Sequence, residues 1–205
     1  KEWGVPMTRL FVAFNFSNSG LLSRKITGFR KRFDPNFNKY SFPHMAMLAP
    51  FEVENRDAAE DLAETLKEEM ETFFFGVPTT PRLSFQGLGV YEHKRKHILY
   101  LKAHYDADLR YCSEIVQEIC MSYIPRKVHY KPNKEQFLPL GYFSNIKDLH
   151  EVMAHAQVEF RNNSFLPIDS ISLYENNMGI WFEKDSLISF EENESTFLQL
   201  NHPSL

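Results

Sequence analysis

Cysteine is scarce: the 205 residues hold two, Cys112 and Cys120. Both lie in a stretch that reads as one helix, where they stand about 12 Å apart along the axis, too far for a bridge. A disulfide framework is excluded, and two buried free thiols suit a reducing, cytoplasmic compartment. No apolar run approaches the length of a membrane span, so no membrane partner is expected. The first residues, Lys1-Glu2-Trp3, carry no apolar signal core. Net charge is small and negative, -4, which speaks against a duplex-DNA binder. Rings are abundant: 19 Phe and 9 Tyr sit in a chain that is 43% apolar. That is enough apolar matter for a core and too much for overall disorder.

Charge is distributed unevenly. Arg24, Lys25, Arg30, Lys31 and Arg32 crowd one helical stretch, whereas residues 51–75 and the segment from Glu183 to Glu194 are acidic. A basic helix can steer a phosphate-bearing ligand or serve only as a solvated face.

Strand and helix signals alternate along the chain. Arg9 to Phe16 is a β-rich apolar run, followed by a basic helix over about 19–33 with Ser19 as cap and Asp34-Pro35 as stop. Ser41 to Leu48 reads as a strand. Asn55 or Asp57 caps an amphipathic helix with Ala59, Leu62, Ala63, Leu66, Met70 and Phe73 on one face. Arg82 to Val90 and His97 to Ala103 read as strands. A helix starting at Asp108 turns Leu109, Cys112, Ile115, Val116, Ile119 and Tyr123 inward and stops at Pro125. Phe137 to Phe143 is a strand, Lys147 to Phe160 a helix, and Phe165 to Tyr174 and Gly179 to Glu183 are closing strands. The order β-α-β-α-β occurs twice, over about 8–90 and 96–184, which predicts an internal duplication. The expected architecture is α/β (α+β): one bilobal domain over 1–205, two pseudo-symmetric halves around a cleft, and an acidic tail over 185–205.

The chemistry centres on two matching strands. His44-Met45-Ala46-Met47-Leu48-Ala49 in the first half aligns with Phe137-Leu138-Pro139-Leu140-Gly141-Tyr142 in the second. Alternate strand residues face the same way, so His44 shares a face with Ala46, and Phe137 with Pro139. By the same alternation Tyr142 is expected to face away from Phe137.

This pattern resembles the 2H (two-histidine) phosphoesterase superfamily, the 2′-5′ RNA ligase-like and cyclic phosphodiesterase proteins. That family carries a His-x-Thr/Ser motif on a central strand of each lobe. The run Leu48-Ala49-Pro50-Phe51, the pair Leu140-Gly141, the opening strand and the order of elements fit it over about residues 8–184. The resemblance implies that two imidazoles flank a phosphate, one taking a proton and the other giving one. The motif hydroxyls would donate to the phosphate oxygens. Here His44 is retained, Ala46 and Pro139 replace the hydroxyl residues, and Phe137 replaces the second His. Losing one acid/base group costs roughly 10²–10⁴ in rate and one oxyanion donor roughly 10²–10³, so a pseudoenzyme is expected.

Three readings stay open. The cleft can bind a nucleotide, an RNA end or a protein partner without cleaving it, with Phe137 as a stacking platform and Arg126, Lys127 and His129 as ligand-binding candidates. An active phosphodiesterase or RNA ligase can pair His44 with a compensating His97, His104 or His129. Or the cleft can be closed by Phe137, leaving a scaffold. No cofactor is expected. Neither His93 with His97 nor His150 with His155 has metal-ligand geometry, so no metal is expected. Gly87-Leu88-Gly89 lacks the rest of a phosphate loop, and nucleophilic Ser or Cys settings are absent.

Overall fold

Alternation of ring and aliphatic side chains draws Thr8–Phe16 into strand β1, which opens the order α1 (Leu21–Phe33), β2 (His44–Val53), α2 (Arg56–Phe73) and β3 (Arg82–His93). The second half follows as β4 (Lys96–His104), α3 (Ala107–Tyr123), β5 (Phe137–Phe143), α4 (Ile146–Glu159), β6 (Ser164–Asn177) and β7 (Ile180–Ser189). The computed structural model describes residues 7–16, 20–37, 44–77, 80–93, 96–130, 137–162 and 164–190. Ser19, the predicted strand start at Ser41, the His93 side chain and the segment from 191 onward lie outside the described residues.

Three helices begin on side-chain caps. The Asn55 side chain accepts from the Ala58 N–H (2.8 Å), that of Asp106 from Leu109 (2.8 Å) and that of Asn145 from Lys147 (2.9 Å). The α3 cap is therefore Asp106, and Asp108 sits inside the first turn, where its charge complements the helix dipole. Helix α1 starts after Gly20 without a side-chain cap and stops at Asp34, whose successor Pro35 cannot continue it.

All strand pairs are antiparallel, in the order β2-β1-β6-β3-β4-β5, with β7 on β6. The long β6 serves two sheets. Its first residues pair with β3, and its later ones lie between β1 and β7. One sheet is thus β2-β1-β6-β7 and the other β6-β3-β4-β5. The duplicated halves exchange strands: β3 joins β4, and β6 joins β1. The result is a bilobal α+β fold around a central cleft. The two motif strands, β2 and β5, stand at opposite ends of the strand order yet approach within 8 Å, Cα to Cα.

Helices cover one face of each sheet: α2 and α3 pack toward β7 and β2, and α1 and α4 toward β5 and β4. The core lies under them. Leu10, Val12, Phe14 and Phe16 of β1 meet Met45 and Met47 of β2 and the apolar faces of the helices. Phe rings meet edge to face, as in Phe16–Phe85 and Phe29–Phe160. Cys112 and Cys120 are free and buried, and burial pushes both thiols up to about 12. They are packing groups rather than nucleophiles. No described helix is long and apolar enough to cross a membrane.

The last strand corrects the sequence reading. Residues 185–189, assigned to an acidic tail, belong to β7. Its fully buried side chain is Leu187, and the charged run Glu183-Lys184-Asp185 hides the strand period.

The basic stretch of α1 is largely committed to structure. Arg30 pairs with Asp34, Arg32 with Glu159 of α4 (2.6 Å), and Lys25 lies over the Phe160 ring.

Candidate functional site

Strands β2 and β5 are structural counterparts. Their first six residues share one burial order, with the first, third and sixth half-buried and the second, fourth and fifth buried. Each carries a bulge at the same place: Met47 is the extra residue between Val12↔Leu48 and Ala13↔Ala46, and Leu140 between Leu99↔Gly141 and Tyr100↔Pro139. His44 therefore corresponds to Phe137 and Ala46 to Pro139. The bulge also resets the alternation on β5. Tyr142 pairs with Ile98, two residues from Tyr100, and so returns to the face of Phe137. The expectation that it faces away is corrected. Burial raises the Tyr142 phenol, with Arg30 lowering it and Asp34 raising it.

On the first sheet, the face away from the helices presents Phe11, Ala13 and Asn15 of β1. His44 pairs with Asn15, and Ala46 with Ala13. Ala13 is fully buried and Ala46 half-buried. His44 leans on two rings, Phe11 (6.0 Å between centroids) and Tyr174 (6.2 Å), which stack on each other at 4.7 Å. Trp181 meets Phe11 edge-on and carries the Arg9 guanidinium over its own face.

Next to His44 runs a polar network that no local sequence signal announces. The Asn15 amide donates to Ser170 Oγ (2.9 Å) and Ser172 Oγ (2.8 Å), and its oxygen accepts from the Tyr174 hydroxyl (2.7 Å). The Ser172 hydroxyl, fully buried, donates to Glu183 Oε1 (2.9 Å). Burial and the nearby Glu183 charge push the Tyr174 phenol up to about 12 despite the Asn15 bond, so it stays a donor. A faint trace exists in sequence: Ser170, Ser172 and Tyr174 alternate with Ile171 and Leu173.

The second sheet is aromatic where the first is polar. The Phe137 ring lies 4.5 Å from that of Tyr100 and 6.3 Å from that of Tyr91, centroid to centroid. Tyr100 occupies the space over its partner Gly89, where an added Cβ would collide with the ring. Gly89→Ala is accordingly expected to swing Tyr100 off Phe137 and lower unfolding free energy by about 1–3 kcal/mol, read from urea denaturation.

The remaining candidates divide by position. Lys102 pairs with Phe137, shares the Tyr100 face and is exposed. His104 lies on that same face, exposed, two residues on. His97 is on the opposite face with Leu99 and Leu101, and its Nδ1 is buried without a hydrogen-bond partner among the described residues. It does not reach the cleft. Arg126, Lys127 and His129 are exposed on a turn that Tyr130 ties to β2 through the Ala49 carbonyl (2.8 Å). That anchor lies five residues beyond His44 along β2, about 16 Å at strand rise. Among the described residues no cluster of His, Cys, Asp or Glu could hold a metal ion.

No family model matches the chain, and no curated protein does. Solved structures do. Usb1 of Kluyveromyces marxianus is 13% identical, with a TM-score of 0.52 over 85% of this chain and 96% of that one. The same protein with uridine monophosphate is 11% identical, with a TM-score of 0.50 over 86% and 96%. LigT of E. coli, complexed with NADP+, is 14% identical, with a TM-score of 0.41 over 87% and 94%. The likeness to Usb1 shows the fold, the bilobal α+β architecture of the 2H phosphoesterases.

Proposed function

We propose that this protein binds a phosphate-bearing nucleotide or RNA end in the cleft without cleaving it by two-histidine chemistry. The observation that carries this reading is the counterpart of His44. At that place on β5 stands a phenyl ring packed on Tyr100, with no proton to give or take. His44 offers a hydrogen bond to phosphate, and Phe137 with Tyr91 offers a π-face to a base, worth roughly 1–3 kcal/mol for each stacked base. Lys102 adds a cation on the same face. Uridine monophosphate bound to Usb1 is consistent with such a ligand. The chain works as one bilobal unit, because β3 and β6 each belong to a sheet seeded by the other half.

Calorimetric titration with uridine monophosphate tests the reading. Saturable binding is expected, weakened about tenfold or more in His44→Ala, the usual worth of a hydrogen bond to a charged group. Absence of binding would leave the closed scaffold, in which Phe137 merely fills the cleft. The active alternative draws on His104, the described histidine on the face of Phe137. Turnover lost in both His44→Ala and His104→Ala would establish it in place of the binding reading.

A further inference from the structure

The network beside His44 has a fixed polarity, and that polarity has a consequence for the ligand. Glu183 can only accept when ionised, so the Ser172 proton points to it. With its proton committed, Ser172 must accept from Asn15, which sets the amide nitrogen toward the serines. The amide oxygen is then turned to Tyr174, whose hydroxyl donates to it. The second amide N–H goes to Ser170. Ser170 therefore receives a hydrogen bond and keeps its own proton. The nearest alternative acceptor in the network is Ser172 Oγ at 3.4 Å, at the weak limit of such a bond.

Position completes the case. His44, Asn15 and Ser170 form one row across β2, β1 and β6, all on the cleft face. Ser170 is half-buried and stands about 10 Å from His44, Cα to Cα, two strand spacings away. Asn15 stands between the two side chains in that row, with the Tyr174 hydroxyl on its amide oxygen. Ala46 and Pro139 supply no hydroxyl of their own. We propose that Ser170 is the oxyanion-facing donor of this cleft, held in its donating orientation by the Asn15–Ser172–Glu183 chain. It thereby supplies from β6 the hydroxyl that the two motif strands lack. This rests on the phosphate-binding reading above and names the second group that holds the phosphate.

The experiment is a calorimetric titration of the full chain with inorganic phosphate and with uridine monophosphate, beside a thermal melt of each variant. Ser170→Ala is expected to weaken both ligands about tenfold, alongside a small fall in melting temperature from the Asn15 N–H that loses its acceptor. Ser170→Thr, which keeps the hydroxyl, is expected to restore binding. Glu183→Gln keeps an acceptor for Ser172 and is expected to bind as well as the natural chain, whereas Glu183→Ala frees the Ser172 proton and weakens binding. A structural role for Glu183 alone would not separate those two variants. If the natural chain binds neither ligand, the function proposed above fails, and this inference with it. If binding is present and lost in His44→Ala but unaltered in Ser170→Ala, the inference alone is overturned.

Discussion

Phe137→His combined with Pro139→Thr is expected to raise turnover of uridine 2′,3′-cyclic monophosphate about 10²-fold or more over the natural chain, the low end of what one placed acid/base group contributes. The geometry favours the gain. Strands β2 and β5 share a burial order and a bulge position, so an imidazole at 137 mirrors the one at 44. The site at 137 is half-buried and already accommodates a larger ring against Tyr100. Strand β5 is an edge strand, so replacing Pro139 adds an N–H without breaking a central ladder. Groups that act as a unit are not additive, so neither single substitution is expected to recover the full gain. His44→Ala in the double variant should remove it again. A double variant that binds the cyclic nucleotide yet turns it over no faster would show that positions 44 and 137 do not flank one phosphate.

Asp34→Ala is expected to lower unfolding free energy by about 3 kcal/mol, the scale for removing one partner of a buried charge pair. The Asp34 carboxylate is fully buried and bonds Arg30, itself 11% exposed, at 3.2 Å. Its other oxygen accepts from the N–H groups of Asn36 (3.0 Å) and Tyr142 (3.2 Å), while the Asn36 side chain donates to the Tyr142 carbonyl (3.2 Å). Side chains at the end of α1 thus satisfy the outer backbone of edge strand β5, in place of a further strand. They also tie a first-half helix to the strand that bears Phe137. Deletion leaves a guanidinium and two amides without their acceptor. Asp34→Asn, which keeps acceptors but not the charge, is expected to lose less. Urea denaturation of both variants reads the difference, and a loss under about 1 kcal/mol in Asp34→Ala would place the latch among ordinary surface pairs.

Local signals were enough for the helices and for most strands. Asn55, Pro125 and the apolar face of α2 mark element ends and orientation through nearest-neighbour chemistry. The run Phe137–Phe143 is recognisable as a strand because its apolar content and flanks agree. What depends on long-range pairing was not legible. Asn15 lies 155 and 157 positions from its serine partners, so nothing near it announces a polar network. Strict alternation misdirects Tyr142, because one extra residue, Leu140, shifts the register and turns the following side chain over. The exchange of β3 and β6 between halves is a property of the sheet order, which composition does not encode. The end of β7 is hidden in the sequence because Leu187 alone among its side chains is fully buried, leaving a polar pattern that reads as tail.

The cleft carries an imidazole on one sheet and an aromatic platform on the other, a pairing that on the function proposed above holds a nucleotide and lacks half the proton-transfer machinery of two-histidine chemistry. The most direct test is a phosphorus NMR spectrum of uridine 2′,3′-cyclic monophosphate mixed with an equal amount of the natural chain. The expected result is a shifted or broadened cyclic-phosphate resonance that persists unconverted and returns to its free position with His44→Ala. Conversion of that resonance to a phosphate monoester by the natural chain, abolished in His44→Ala, would contradict it.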